Sequence, residues 1–105
     1  MTQNLPFEVL RQLRAQGKTL ATAESCTGGL IGKLLTDVPG SSEVYMGGVI
    51  SYTNGVKHRL LGVSEDTLRV YTAVSRQTAT EMAKGAREAV CADVGVSVTG
   101  LAGPD

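Results

Sequence analysis

Residues 18–29 of this 105-residue chain read KTLATAESCTGG, and this segment decides the fold class. Small and β-capable residues from Lys18 to Ala23 predict a short strand. The strand leads into a polar, glycine-rich stretch, and apolar residues at helical spacing between Leu30 and Leu35 predict a helix beyond it. The order strand, glycine turn, helix is typical of α/β proteins.

Helices and strands continue to alternate along the rest of the chain. A first helix is predicted at residues 5–16, with Asn4 as its N-cap. A second strand is predicted at residues 44–53, where Gly47 and Gly48 mark either a bulge or a close backbone approach. The remaining predicted elements are short helices at residues 54–61 and from Ser64, a longer helix capped by Ser75, and a third strand carrying Val94, Val96 and Val98.

This alternation predicts one α/β domain over residues 1–105, a three-layer α/β/α structure with a central sheet. If the strands are parallel, functional loops gather at their carboxyl ends. The terminal Gly-Pro-Asp reads as the opening of a turn, so we expect the domain to be truncated at its C-terminal end.

Charge and composition favour a small-molecule site. Ten basic and ten acidic residues cancel, so no net field attracts nucleic acid or an anionic membrane. Aromatic residues make up only 4% of the chain, which argues against stacking of single-stranded nucleic acid. The two cysteines form no CxxC pair, and signal-peptide, membrane-span and nucleotide-loop patterns are absent. We therefore expect a cytoplasmic protein with neither a metal nor an organic cofactor.

Ser25 is a candidate nucleophile. It follows the first strand and is expected at the start of a helix, where unpaired N–H groups converge. The amides of Thr27, Gly28 and Gly29 could stabilise an oxyanion. Two alternatives stay open: Ser25 or Thr27 merely caps the helix, or the neighbouring Cys26 is the nucleophile, with only one of the two adjacent side chains facing the pocket.

Tyr52 and Lys57 form a second constellation at the end of the second strand. A lysine made neutral by burial can accept a serine proton, and a tyrosine can relay it or protonate the leaving group. The alternative is a half-buried tyrosine at a rim and a solvated surface lysine. His58, the lone histidine, follows Lys57 on a predicted helix and is expected to be exposed and non-catalytic. The loop at residues 99–103 could cradle a phosphate or simply turn the chain.

Five ordered segments resemble motifs of the CinA C-terminal domain family, and the resemblance runs from about residue 5 to the end of the chain. They read ATAESCTGG at residues 21–29, DVPGSS at 37–42, GVISYTN at 48–54, AVS at 73–75 and VTGLAGPD at 98–105.

The resemblance implies an amidohydrolase of pyridine-nucleotide salvage, which converts nicotinamide mononucleotide to nicotinate mononucleotide and ammonia without a metal or organic cofactor. It assigns Ser25 as nucleophile and Tyr52 and Lys57 as its proton-transfer partners. The substrate-binding residues that it implies are Glu24, Thr27, Gly28, Gly29, Thr99, Gly100, Ala102 and Gly103.

Members of this family continue past the Ala-Gly-Pro-Asp motif, so we expect this chain to lack their last strands and terminal helix. An exposed sheet edge and apolar surface would then favour a homodimer. Two other functions stay open. One is a catalytically silent nucleotide-binding or regulatory module. The other is a DNA-associated protein, although the sequence has no basic patch to support DNA binding.

Overall fold

The computed structural model describes residues 4–100, which fold into five α-helices around three β-strands. In chain order these are α1 (Leu5–Ala15), β1 (Leu20–Glu24), α2 (Leu30–Thr36), β2 (Tyr45–Ile50), α3 (Asn54–Leu61), α4 (Glu65–Tyr71), α5 (Arg76–Ala89) and β3 (Val94–Val98), with a 3₁₀ turn at Ser41–Glu43. This order confirms the predicted alternation and the α/β fold class. Ala102 and Gly103, two of the predicted binding residues, lie outside the described residues.

The three strands form a parallel sheet in the order β2-β1-β3. At its end, Glu24 of β1 pairs with Ile50 on one side and Val98 on the other. The carboxyl ends of all three strands therefore lie at one edge of the sheet, as expected for a parallel arrangement. The register shifts beside Leu20, which confirms a bulge in β2.

Side chains of β1 alternate between two cores, one on each face of the sheet. Ala21 and Ala23 pack on one face with Leu61, Val63 and Met82, beneath α3 and α5. On the other face, Leu20 packs with residues of α1, α2 and the loop before β2, namely Leu10, Leu35 and Val44. The sheet is thus the middle layer of three.

All three predicted N-cap positions are confirmed, but only two of the side chains make a capping hydrogen bond. Ser64 and Ser75 accept hydrogen bonds from the amides of Thr67 (2.9 Å) and Thr78 (3.1 Å). Asn4 occupies the N-cap position of α1 without a side-chain hydrogen bond, because its backbone does not adopt the extended conformation that directs a capping side chain.

The turn after β1 is longer than predicted, so Ser25 does not start a helix. Gly28 and Gly29 have φ angles of 67° and 106°, a left-handed conformation incompatible with a helix. Helix α2 consequently begins at Leu30, five residues after Ser25.

An apolar groove of about 430 Å³ lies between α1, α2 and β3, and its lining includes Leu5, Leu34 and Val96. Val96 is 41% exposed although it belongs to the sheet. The predicted homodimer remains a prediction, which light scattering at micromolar concentration tests.

Within residues 4–100, no helix has both the length and the apolar character that a membrane crossing requires.

Candidate active site

A cleft of about 280 Å³ lies at the carboxyl edge of the sheet. It brings together the three predicted catalytic residues and two of the predicted binding residues, because the loops after all three parallel strands open there. Ser25, Cys26, Tyr52, Asn54 and Lys57 form its more polar part, and Ala73, Val74, Thr99 and Gly100 line the rest.

Ser25 is 6% exposed and lines this cleft. Its amide donates to the carbonyl of Val98 at 3.1 Å, which extends the β1–β3 ladder and fixes the backbone beside the sheet. Its hydroxyl has no hydrogen-bond partner within residues 4–100. The hydroxyl is therefore available to a molecule in the cleft.

Lys57 is buried, with only 2% of its surface exposed, so the alternative of a solvated surface lysine is wrong. Its Nζ donates to the backbone carbonyls of Ser51 (3.0 Å) and Tyr52 (3.3 Å), and no carboxylate pairs with it among residues 4–100. Burial lowers the pKa of Lys57 from its ordinary value of 10.5, while the charge of nearby Cys26 acts in the opposite direction. The neutral amine of Lys57 therefore forms at a lower pH than that of an ordinary lysine.

Tyr52 lies at the rim of the cleft and is 74% exposed, so it is not half-buried. Within residues 4–100 its hydroxyl makes no hydrogen bond, and its position follows from its backbone, whose carbonyl holds Lys57. Tyr52 therefore binds Lys57 through its carbonyl, while its side chain lies at the rim of the cleft.

Cys26 also lines the cleft, which contradicts the expectation that only one of two adjacent residues faces it. The reason is that β1 has ended at Glu24, so the strict alternation of strand side chains no longer holds. A Cβ added at Gly100 would lie 3.5 Å from Cys26 Sγ. The thiol thus lies near Gly100.

Glu24 does not line the cleft; its carboxylate is buried against α2. One oxygen accepts from Thr27 Oγ1 (2.7 Å) and from the amide of Ile31 (2.8 Å), and the other accepts from the amide of Gly32 (2.8 Å). The amides of Ile31 and Gly32 at the start of α2 are therefore occupied by this carboxylate.

Thr27, Gly28 and Gly29 do not line the cleft either, although they belong to the loop that carries Ser25. The amides of Cys26, Thr27 and Gly29 donate to no acceptor within residues 4–100. These loop amides thus have no acceptor among residues 4–100, whereas those of Ile31 and Gly32 do.

Ala73 and Val74 line the cleft from the loop between α4 and α5, and neither was predicted. Thr99 Oγ1 donates to the carbonyl of Ala73 at 2.7 Å, which ties this loop to the end of β3. The preceding Thr72 has a φ of 69°, a strained conformation for threonine that its contacts with Ser75 and Thr78 hold in place. The sequence signal that could have pointed to Ala73 and Val74 was the AVS segment at residues 73–75, which resembles a family motif.

The remaining polar candidates lie elsewhere. His58 is exposed, as predicted, and its Nδ1 lies 2.8 Å from the carbonyl of Val63, away from the cleft. In the described part of the chain, no three His, Cys, Asp or Glu side chains cluster in a way that could hold a metal ion.

Residues 2–105 match the CinA C-terminal domain family. The chain belongs to this family. It is 58% identical over 99 residues to a CinA-like protein of Leptospira interrogans and 51% identical over 96 residues to one of Thermotoga neapolitana, covering 93% and 91% of this chain. In each case it spans 24% of the relative, about a quarter of the length of the curated relatives it matches.

Solved structures of the family share the fold. The competence/damage inducible protein CihA from Agrobacterium tumefaciens superposes with a TM-score of 0.92 at 46% identity, over 96% of this chain and 61% of its own. A competence-damaged protein (CinA) superfamily protein from Escherichia coli gives 0.94 at 39% identity, over 97% and 59%. The resemblance seen in the sequence motifs is confirmed.

Proposed function

We propose that this domain is a nicotinamide-nucleotide amidohydrolase that converts nicotinamide mononucleotide to nicotinate mononucleotide and ammonia. One observation carries the proposal: a buried lysine with a lowered pKa and a serine with an unpaired hydroxyl line the same cleft. A neutral amine beside a serine is a known way to activate the hydroxyl as a nucleophile. Neither residue needs a metal or an organic cofactor for this step.

Acylation begins when the neutral Lys57 accepts the proton of Ser25 as Oγ attacks the carboxamide carbon. The carbonyl π electrons move to oxygen, and a tetrahedral oxyanion forms. The amide of Cys26 supplies a hydrogen bond to it, because Cys26 lines the cleft and no acceptor within residues 4–100 uses its amide. Catalysis rests on donors that are in place before charge develops.

Ammonia leaves when the oxyanion reforms the carbonyl and the carbon–nitrogen bond breaks. The proton held by Lys57 passes to the leaving nitrogen, with the phenol of Tyr52 at the rim as relay. Water then attacks the ester on Ser25, Lys57 takes the water proton, and Lys57 returns that proton to the serine oxygen as the oxygen leaves. The sum is carboxamide and water in, carboxylate and ammonium out.

Thr99 and Gly100 hold the nucleotide. Both residues line the cleft, and the Thr99 hydroxyl is engaged by Ala73, so we assign the contact to the backbone of these two residues. The flat pyridine ring packs against the apolar surface of Ala73 and Val74.

Ammonia release from nicotinamide mononucleotide tests the proposal. We expect turnover by the chain and none by Ser25→Ala, while Cys26→Ala keeps activity because its thiol lines the cleft without acting as nucleophile. Turnover that survives Ser25→Ala sinks the mechanism. Calorimetric binding of the nucleotide with no ammonia release from the wild-type chain favours the silent nucleotide-binding module instead.

A further inference from the structure

Glu24 and Ser25 are consecutive in the chain but serve opposite sides of the sheet. The Glu24 side chain contacts α2, on the face where Leu20 packs, whereas Ser25 lines the cleft next to Lys57 of α3. Glu24 is 2% exposed and is absent from the cleft lining. Glu24 can therefore affect the reaction only indirectly, through the residues that it contacts.

The Glu24 carboxylate closes the nucleophile loop, residues 25–29, into a ring. It accepts from Thr27 in the middle of this loop at 2.7 Å and from Ile31 and Gly32 beyond its end, both at 2.8 Å. The fit of the helix against the carboxylate is close: a Cβ added at Gly32 would lie 3.3 Å from Glu24 Oε2. Both ends of the loop are thus attached to one side chain.

Apart from a turn at Cys26 and Thr27, the backbone of the nucleophile loop has few restraints of its own. Gly28 and Gly29 give it backbone freedom, and the amides of Cys26, Thr27 and Gly29 make no hydrogen bond within residues 4–100. A loop that ordered itself through those amides would have none to offer an oxyanion. The carboxylate supplies the order from outside and leaves the amides unused.

We propose that Glu24 is a positioning residue, which fixes the nucleophile loop so that Ser25 Oγ and the Cys26 amide keep their geometry at the cleft without contact between Glu24 and substrate. This role replaces the substrate-binding role that the family resemblance implies for Glu24. It rests on the proposed amidohydrolase function.

The test uses Glu24→Gln, which keeps the volume but turns one acceptor oxygen into an NH₂ group, so one of the three donors loses its partner. Displacement of a reacting group by about 1 Å costs on the order of 100-fold in rate, so we expect kcat to fall about 10- to 100-fold with KM within about threefold of wild type. Hydrogen exchange should accelerate at the amides of Ile31 and Gly32, which donate to Glu24 in the wild-type chain.

Glu81→Gln is the matched control. Glu81 likewise binds the start of a helix, accepting from the amide of Ser64 (2.8 Å) and from Thr67 Oγ1 (2.7 Å), but it does not line the cleft. Its loss should leave kcat unchanged. Thr27→Val removes only one of the three contacts of Glu24 and should give a smaller fall in kcat, which provides a second variant if Glu24→Gln does not fold.

Calorimetry with nicotinate mononucleotide separates positioning from a merely structural role. Positioning predicts full binding stoichiometry with reduced kcat; stoichiometry that falls in step with activity, or an unchanged kcat, overturns it. A more than tenfold rise in KM at unchanged kcat would show that Glu24 binds substrate and also overturns it. If the wild-type chain releases no ammonia, the amidohydrolase proposal fails by itself, and exchange at Ile31 and Gly32 that Glu24→Gln leaves unchanged overturns positioning.

Discussion

Glu24 and Lys57 are two equally buried charged residues, each 2% exposed, and they bind the chain in opposite ways. The Glu24 carboxylate accepts from three donors at 2.7–2.8 Å. Lys57 Nζ has three donors of its own but only two acceptors among residues 4–100, at 3.0 and 3.3 Å. Neither side chain forms a salt bridge with another residue in the described part of the chain. Burial alone therefore does not define what a charged group does.

The difference lies in how well each charge is satisfied. A buried charge is costly unless hydrogen bonds replace its water, and the three bonds to Glu24 do so for the carboxylate. Lys57 has only two neutral carbonyls as hydrogen-bond acceptors among residues 4–100, and burial lowers its pKa. Glu24 is therefore suited to stabilising the structure around it. Lys57 is suited to giving up its proton, which leaves a neutral amine that can act as a base.

Ser51 joins the two regions. Its amide donates to the carbonyl of Glu24 at 2.7 Å, and its own carbonyl accepts from Lys57 Nζ. It is fully buried, so the base and the nucleophile loop share one rigid support at the sheet edge.

The largest expected effect is on turnover by Lys57→Met. Loss of a general base typically costs about 100- to 10,000-fold, and we expect kcat/KM for ammonia release to fall in that range. The free energy of unfolding at pH 7 should be unchanged or higher, because a buried cation that forms no salt bridge within residues 4–100 is removed. Lys84→Met, at an exposed position of α5, is the control. Wild-type turnover by Lys57→Met contradicts the role of base.

Glu24→Gln should show the opposite effect on stability. Leaving a buried amide at the start of α2 unsatisfied costs about 1–3 kcal/mol, and urea unfolding at pH 7 should show a loss of that size. Glu88→Gln, at an exposed position, should stay within about 0.5 kcal/mol of wild type. If Glu24→Gln is as stable as Lys57→Met, the contrast between the two regions is wrong.

Stability and turnover should both depend on pH through Lys57. Because its pKa in the folded state is below 10.5, the unfolded chain binds more protons between the two values, and the free energy of unfolding rises with pH there. The wild-type curve minus the Lys57→Met curve should show this rise. A flat difference up to pH 10.5 contradicts the lowered pKa, as does a kcat/KM that levels off only above it.

The smallest expected effect is that of Tyr52→Phe. Its hydroxyl is exposed at the rim, where water can replace a relay, so we expect kcat to fall on the order of 10-fold, below the usual contribution of a general acid. Tyr71→Phe, an exposed tyrosine of α4, should leave kcat unchanged. No fall in kcat for Tyr52→Phe would remove the relay from the mechanism.

The order of helices and strands could be read from local signals. Ser64 and Ser75 cap the helices that they were expected to cap, and Val94, Val96 and Val98 form the predicted strand, because capping and alternation depend on near neighbours in the chain. The start of α2 could not be read in this way. Its position depends on the left-handed glycines and on the carboxylate that receives its first amides.

The candidate site was predictable only in part. The family resemblance supplied Ser25, Tyr52 and Lys57, but residue type alone favoured a surface lysine, and only tertiary packing buries it. Ala73 and Val74 reach the cleft through a contact with Thr99, 26 residues from Ala73 in the chain. The role of Glu24 depends on contacts seven and eight residues away that no sequence period predicts.

Trapping of the acyl-enzyme tests the central claim most directly. The chain is mixed with nicotinamide mononucleotide, quenched in acid within milliseconds, digested with trypsin and analysed by mass spectrometry. We predict an ester of nicotinate mononucleotide on Ser25 in the peptide of residues 19–33, retained in Cys26→Ala, lost in Ser25→Ala and strongly reduced in Lys57→Met. An adduct on Cys26, or ammonia release by Ser25→Ala, would contradict the account.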